Sequence, residues 1–254
     1  MIDLHSHLLP GVDDGSRTLQ QSVGVLREMA AQGVTDLCLT PHLLASRVEE
    51  GMPARYDAAF EELRRAAPEV PRLHRAVEIM LDRPLPLTLR ALPALRIGGS
   101  RYVLVEFPRL VAAETALLAL THVASIGFIP LLAHPERYGC CTPEVAWRWR
   151  EAGARMQVDA NTLLTPQRRG ERARDLVANG LADILAADNH GDGRTVMAAR
   201  DALEAQGGEA QARWLLVDNP RAILEDRATT PVEPLQLRLA WHARVRGLFA
   251  SEDG

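Results

Sequence analysis

Short apolar, β-rich runs alternate along the chain with longer stretches in which apolar residues recur at every third or fourth position. The runs at residues 34–40 (V-T-D-L-C-L-T), 73–79 (L-H-R-A-V-E-I), 102–107 (Y-V-L-V-E-F), 128–134 (F-I-P-L-L-A-H), 154–160 and 181–188 (L-A-D-I-L-A-A-D), with a first one inside residues 1–8, predict seven strands. Residues 18–32 put Leu19, Val23, Leu26 and Met29 on one face and stop at Gly33, the pattern of an amphipathic helix with a glycine terminator. Residues 54–67, 112–126, 143–153 and 166–179 read as helices too, and shorter ones follow at 194–206, 209–216 and N-P-R-A-I-L-E-D. Strands alternating with helices predict a parallel sheet or barrel.

Length and composition narrow the possibilities. A chain of 254 residues suits a single α/β barrel, and no Ser/Gly-rich linker divides it. The expected organisation is one domain over residues 1–226, then a C-terminal piece, 227–254, made of a loop and an amphipathic tail helix at 235–250. A net charge of −4 and the lack of a concentrated basic stretch before residue 230 argue against a nucleic-acid partner. No apolar run is long enough for a membrane helix, the N-terminus lacks a leader pattern, and the 3 cysteines show no disulfide-framework spacing. These features predict a soluble, cytoplasmic protein. All 29 basic residues are arginine. The absence of lysine excludes a P-loop, a Schiff-base lysine and a metal-bridging carboxylated lysine, and no cysteine opens a C-x5-R phosphate loop.

The chemistry-bearing residues gather at strand ends. Side chains two apart on a strand share a face, so His5 and His7 form a two-toothed clamp, and Asp188 and His190 repeat that spacing after the last strand. An isolated H-x-H pair could equally be two buried, hydrogen-bonded histidines. Here, however, His5 and His7, His42, Glu78, Glu106, His134, and Asp188 with His190 fall at the ends of six of the seven expected strands. In parallel barrels that rim carries the catalytic groups. So many imidazoles and carboxylates require a compensating charge, and a nitrogen/oxygen donor set without thiolate suits Mn²⁺, Fe²⁺, Zn²⁺ or Co²⁺. Clustered ions of this kind activate water, which points to hydrolysis.

The ordered set H-S-H, G-V-D-D-G, T-P-H, V-E-I, E-F-P, A-H-P-E-R-Y and A-D-N-H resembles the PHP superfamily of metal-dependent phosphoesterases, in particular the bacterial CpsB/CapC/YwqE-type tyrosine-protein phosphatases. The resemblance runs to about Asp226. It implies a distorted (β/α)7 TIM-like barrel holding three divalent transition-metal ions, with manganese the leading candidate and iron, zinc or cobalt the alternatives. By family position, His5, His7, Glu78 and Asp188 would hold the first ion. Glu78 would bridge to a second, held also by Glu106 and His134, and Asp14, His42 and His190 would hold the third. A hydroxide shared by the first two ions is the implied nucleophile. The resemblance also implies that Arg137 and Arg194 bind the phosphate. The implied substrate is phosphotyrosine, on the tail of a bacterial tyrosine kinase of capsular or exopolysaccharide assembly.

Alternative readings keep the metals but change the substrate to a small phosphate ester, such as histidinol phosphate, or a nucleotide. A metal-binding barrel without turnover is a further alternative. Two stretches depart from the family pattern: Ala187-Asp188-Asn189-His190 replaces Ser-Asp-Ala-His, and residues 43–52 differ throughout. Asp13 reads as a turn residue or a support for a ligand, and Asn161 as a ligand-orienting or turn residue. His74, His122 and His242 read as structural. The tail interleaves apolar residues with Arg238, Arg244 and Arg246. It would pack on its own protein or a second copy, with contact to an anionic membrane as the lesser alternative. The oligomeric state is left open.

Overall fold

The computed structural model describes residues 1–239. The chain folds as a mixed α/β structure in which every strand pairing is parallel. It opens with β1 (Ile2–Asp3), α1 (Leu19–Ala31) and β2 (Asp36–Leu39). The Thr18 side chain accepts a hydrogen bond from Gln21 N and so satisfies one of the free N–H groups at the start of α1. Next come β3 (His42–Leu44), α2 (Ala54–Ala66), β4 (Arg72–Arg75) and β5 (Glu78–Met80). Three short 3-10 turns then lead to β6 (Tyr102–Glu106). The regular alternation continues with α3 (Ala113–Ser125), β7 (Ile129–Ala133), α4 (Pro143–Glu151), β8 (Arg155–Asp159), α5 (Arg168–Ala178) and β9 (Ile184–Ala186). Pro143, at the first position of α4, gives up an N–H that the helix does not use, and Thr142 caps the same turn. Helices α6 (Met197–Glu204), α7 (Glu209–Arg213) and α8 (Asn219–Leu224) complete the body, with a π-helical turn, Trp214–Asp218, between the last two.

The strands do not form the single closed barrel expected. Among the described residues they make a sheet of order β1-β2-β4 and a second of order β3-β5-β6-β7-β8-β9. The expected strand at 73–79 is divided between the two, and His42 starts a strand of its own rather than following one. Pro41 explains much of the break, because a residue without an N–H cannot continue the ladder. Single hydrogen bonds carry the pairing past it, from Ala76 N to Leu39 O (3.1 Å) and from Glu78 N to Pro41 O (3.0 Å). On the far side, a bridge between Ser6 and Asn189 joins the segment after β1 to the segment after β9.

A compact inner cluster draws Ile2 from β1, Cys38 from β2, Leu104 from β6, Leu131 from β7 and Ile184 from β9, so strands of both sheets face one interior. The helices cover the outside through a larger apolar cluster.

The chain after α8 is irregular. Asn219 holds Thr230 from both sides of its amide, Val232 is buried, and Leu235 N donates to Val177 O. The tail helix expected at 235–250 is absent over 235–239; residues 240–254, including His242, Arg244 and Arg246, lie outside the described residues. No helix among the described residues is long and apolar enough to cross a membrane.

Candidate metal centre

The strand ends bring the expected donors together. His5 and His7 follow β1, His42 opens β3, Glu78 opens β5, Glu106 closes β6, His134 follows β7, and Asp188 and His190 follow β9. Asp14 comes from the turn after His7. All of these residues fall into four overlapping groups of donor atoms, each compact enough to hold one ion: His5, His7 and Asp188; His5, Glu78 and His134; His42, Glu78 and Glu106; and His7, Asp14, His42 and His190.

The backbone is bent to achieve this. His134 and Asp188 have positive φ values of 34° and 49°, a region that costs a non-glycine residue roughly 1–3 kcal/mol and that concentrates at functional sites. Gly15, the last residue of V-D-D-G, lies directly on His7. A Cβ there would stand 2.0 Å from the His7 carbonyl oxygen, so only glycine lets the turn close over the histidine.

At the centre, His5 Nε2 lies 3.1 Å from His7 Nε2, 3.3 Å from Glu78 Oε2 and 3.3 Å from Asp188 Oδ1. His7 Nε2 lies 3.3 and 3.4 Å from the same two oxygens. Four donors surrounding an ion at ~2.0–2.1 Å are separated by about 3.3–3.4 Å, so these spacings fit a divalent transition metal. Glu78 Oε2 and Asp188 Oδ1 are buried and have no hydrogen-bond partner, an arrangement that a cation resolves. His134 Nε2 reaches Glu78 Oε1 at 2.9 Å and Glu106 Oε2 at 3.9 Å. His42 faces two ways, with Nδ1 3.1 Å from Glu78 and 3.2 Å from Glu106, and Nε2 3.4 Å from Asp14. His190 Nε2 is 3.6 Å from Asp14, whose side chain is mostly exposed.

The ring orientations are fixed from behind. His5 Nδ1 is 2.9 Å from Gln157 Oε1, an oxygen that can only accept and that also receives His134 N–H. Nδ1 therefore carries the proton, and Nε2 turns its lone pair to the centre. Asp13 does the same for His7, accepting at 2.8 Å from Nδ1, and also accepts from the backbone of Gly15 and His42. Its carboxylate thus fixes the His7 ring and the turn around it.

At His5, His7, His42, Glu78 and Asp188 burial disfavours charge and the opposite charges outweigh it, whereas at His190 burial and the His7 charge prevail and lower the pKa. Buried Glu78 is held well below the usual carboxylate range by His5, His134 and His42, and Asp188 is lowered by His5, His7 and Arg137. Against the same burial penalty, carboxylates raise His5 and His7, and Glu106 and Glu78 raise His42 to about 10. Cations replacing these protons would turn the same atoms into ligands.

The two expected arginines converge beside the donors. Arg137 Nη2 contacts Asp188 Oδ2, and Arg194 Nη1 lies 3.5 Å from that oxygen. Arg194 is held by both oxygens of Asp192. Asn189, the departure from the family pattern, organises this loop: its amide donates to Asp192 O and Arg194 O and accepts from Gly191 N. Asn161 ties the same region to the end of β8 through Ala187 O and Thr195 N. His74 pairs with Asp36 and His122 with the Leu85 carbonyl, both away from the centre.

Sequence reasoning missed three buried residues. Gln157 sits inside β8, where nothing marks it as the partner of His5. Asp159 ends β8, the one expected strand without a ligand, and stands 3.5 Å from Arg137 Nη2. Glu136, within H-P-E-R-Y, accepts from Asp159 N at 2.9 Å; burial and the Asp159 charge push its pKa up to about 8. Its strand-end position was the available signal for Asp159.

Comparison with known proteins places the chain in context. The family model for capsular polysaccharide synthesis, CpsB/CapC, matches residues 1–225. The tyrosine-protein phosphatase CpsB of Streptococcus pneumoniae is 29% identical over 244 residues, covering 89% of this chain and 99% of that protein. The tyrosine-protein phosphatase YwqE of Bacillus subtilis (strain 168) is 27% identical over 250 residues, covering 94% and 98% respectively. A crystal structure from work on YwqE of Bacillus subtilis and CpsB of Streptococcus pneumoniae, described as unique metal-dependent tyrosine phosphatases, superposes with a TM-score of 0.76. It shares 25% identity and covers 92% of this chain and 99% of the other.

Proposed function

Because the chain belongs to the capsular polysaccharide synthesis family CpsB/CapC, we propose that it is a metal-dependent protein-tyrosine phosphatase that hydrolyses phosphotyrosine on a kinase of capsular or exopolysaccharide assembly. The observation that carries this reading is the convergence of His5, His7, Glu78 and Asp188 at the spacing of a transition-metal shell, with Arg137 and Arg194 on the other oxygen of Asp188. In this reading three ions share these donors: His5, His7, Glu78 and Asp188 would hold the first, Glu78, Glu106 and His134 the second, and Asp14, His42 and His190 the third. The mixed nitrogen and oxygen donors suit Mn²⁺, Fe²⁺, Zn²⁺ or Co²⁺, and manganese is the ion this reading proposes. Residues 1–226 are the phosphatase domain in this reading, and the inner cluster shared by both sheets supports reading it as a distorted (β/α)7 barrel.

When bound, such ions supply an activated water and stabilise negative charge on phosphoryl oxygens. The protein's own part is positioning. Arg137 and Arg194 present planar guanidinium groups that take up phosphate oxygens in bidentate fashion, which neutralises charge as it builds. Asp188, Asp159 and Asp192 hold those guanidiniums in place, while Gln157 and Asp13 keep His5 and His7 in the ligating tautomer.

The test is turnover of phosphotyrosyl peptides by manganese-supplied protein, compared with histidinol phosphate and a nucleotide, together with elemental analysis. The reading expects preference for the peptide and about three equivalents of transition metal, reduced in Glu78→Ala. Failure to hydrolyse the peptide, or a content below about one equivalent that added metal cannot raise, overturns it.

A further inference from the structure

The cavity above the donor cluster, about 530 Å³, has two chemically different sides. Its four carboxylates, Asp14, Glu78, Glu106 and Asp188, all belong to the donor set. The other side is basic. Arg109, in the loop after β6, and Arg169, in the first turn of α5, line the cavity together with Arg137. Burial and the like charges of Arg109, Arg137 and Arg172 lower the pKa of the Arg169 guanidinium, so these arginines share one positive field. The phosphate-binding task assigned above to Arg137 and Arg194 leaves Arg109 and Arg169 without a role. They reach the same cavity from two separate elements, the loop after β6 and the start of α5. A volume of this size takes a drug-sized ligand, more than the side chain of one phosphotyrosine, and its lining includes an exposed apolar side chain, Leu44 (44% exposed). A peptide seated with its phosphate at the donors would pass its neighbouring residues over the rest of that lining.

We propose that Arg109 and Arg169 form a second anion subsite that selects phosphotyrosyl substrates carrying a further anionic group, a carboxylate or a second phosphate, next to the phosphotyrosine. The inference rests on the phosphatase reading above. Guanidinium forks match both anions, and two of them facing one cavity balance the charge of either. The electrostatic attraction also draws acidic peptides toward a cavity whose metal side already attracts phosphate.

The test uses full-length, metal-loaded protein and three peptides with one phosphotyrosine, identical except that the adjoining residues are glutamate, phosphoserine or glutamine. The expected kcat/KM for the anionic peptides exceeds that for the glutamine peptide by about tenfold or more, as for a charge-assisted hydrogen bond. The excess lies chiefly in KM and shrinks as salt is added. In Arg109→Gln/Arg169→Gln, and in each single variant to a lesser degree, the ratio of anionic to neutral peptide falls toward one. A preference confined to glutamate or to phosphoserine supports the subsite and identifies its anion. Equal kcat/KM for all three peptides in the wild type, or a preference that persists in the double variant, overturns it. If no peptide is turned over, the phosphatase reading fails, and the binding constants of the same three peptides still decide the subsite.

Discussion

Arg137 and the donor cluster share one carboxylate: Asp188 gives Oδ2 to the Arg137 guanidinium and points Oδ1 at His5 and His7. A single side chain thus fixes the distance between the expected phosphate-binding group and the atoms expected to hold metal. Arg194 approaches the same Oδ2, and Asp159 backs Arg137 from the other side. Any substrate phosphate gripped by these arginines is therefore set at a defined offset from the metal ligands, which is the positional control an in-line displacement needs.

That geometry makes Arg137→Lys a severe substitution despite its conserved charge. Lysine keeps a point charge but loses the planar fork. Turnover of a phosphotyrosyl peptide should fall by about 10²-fold or more, the cost of removing one well-placed donor from a developing oxyanion. Steady-state kinetics measures it; a change of less than about threefold contradicts a phosphate-binding role.

Gly15→Ala tests the closure of the V-D-D-G turn over His7. The added methyl would stand 2.0 Å from the His7 carbonyl oxygen and 2.4 Å from its Cβ, so the turn or the histidine must move. The expected result is a loss of about 1–3 kcal/mol in denaturant unfolding and lower manganese affinity in a metal titration. Wild-type values for both would mean that the turn adapts without disturbing His7.

How far these features are legible in sequence depends on whether they are local. Several of the donors could be read because they follow an apolar run and sit where a strand ends, as with His134 after F-I-P-L-L-A and Asp188 after L-A-D-I-L-A-A, whereas His42 and Glu78 open strands and Asp14 lies in a turn. The helices could be read from their stripes and caps, α1 from Leu19 to Met29 and α4 from Thr142-Pro143. The break between the two sheets could not, because it depends on how the ladder passes Pro41 and on a register between β2 and β4 that the run 73–79 does not encode. Gln157 and Asp159 were illegible as partners for a similar reason: their roles come from His5 and Arg137, 152 and 22 positions away along the chain.

Away from the centre, Asp36 gives a prediction in acid. Burial raises its pKa, but the hydrogen bonds from His74 and Thr35 and the charge of Arg72 prevail and hold the carboxyl below its ordinary value. A carboxyl that is more acidic folded than unfolded adds stability above its unfolded pKa of about 4, and that stability is lost as the pH falls through the folded value. Asp36→Asn should therefore be less stable than wild type at pH 7 and show a flatter loss of stability below about pH 4. Unfolding curves at several pH values measure this; parallel acid limbs for the two proteins would remove Asp36 as a source.

The seam between the sheets gives the metals a mechanical role. Across it run the His7 N to Asn189 O bond of the Ser6–Asn189 bridge and the bond from the Ala187 N–H to the Asp3 carboxylate, and His7 on one side and Asp188 on the other aim at the same point. An ion held between them would act as a cross-link, fastening the first strand to the last much as a clasp closes a bracelet. Chelation should then speed amide hydrogen exchange at His7 before it does so in the middle of β6, and returning manganese should slow it again. The same ions that would cleave the ester would also hold the two sheets together.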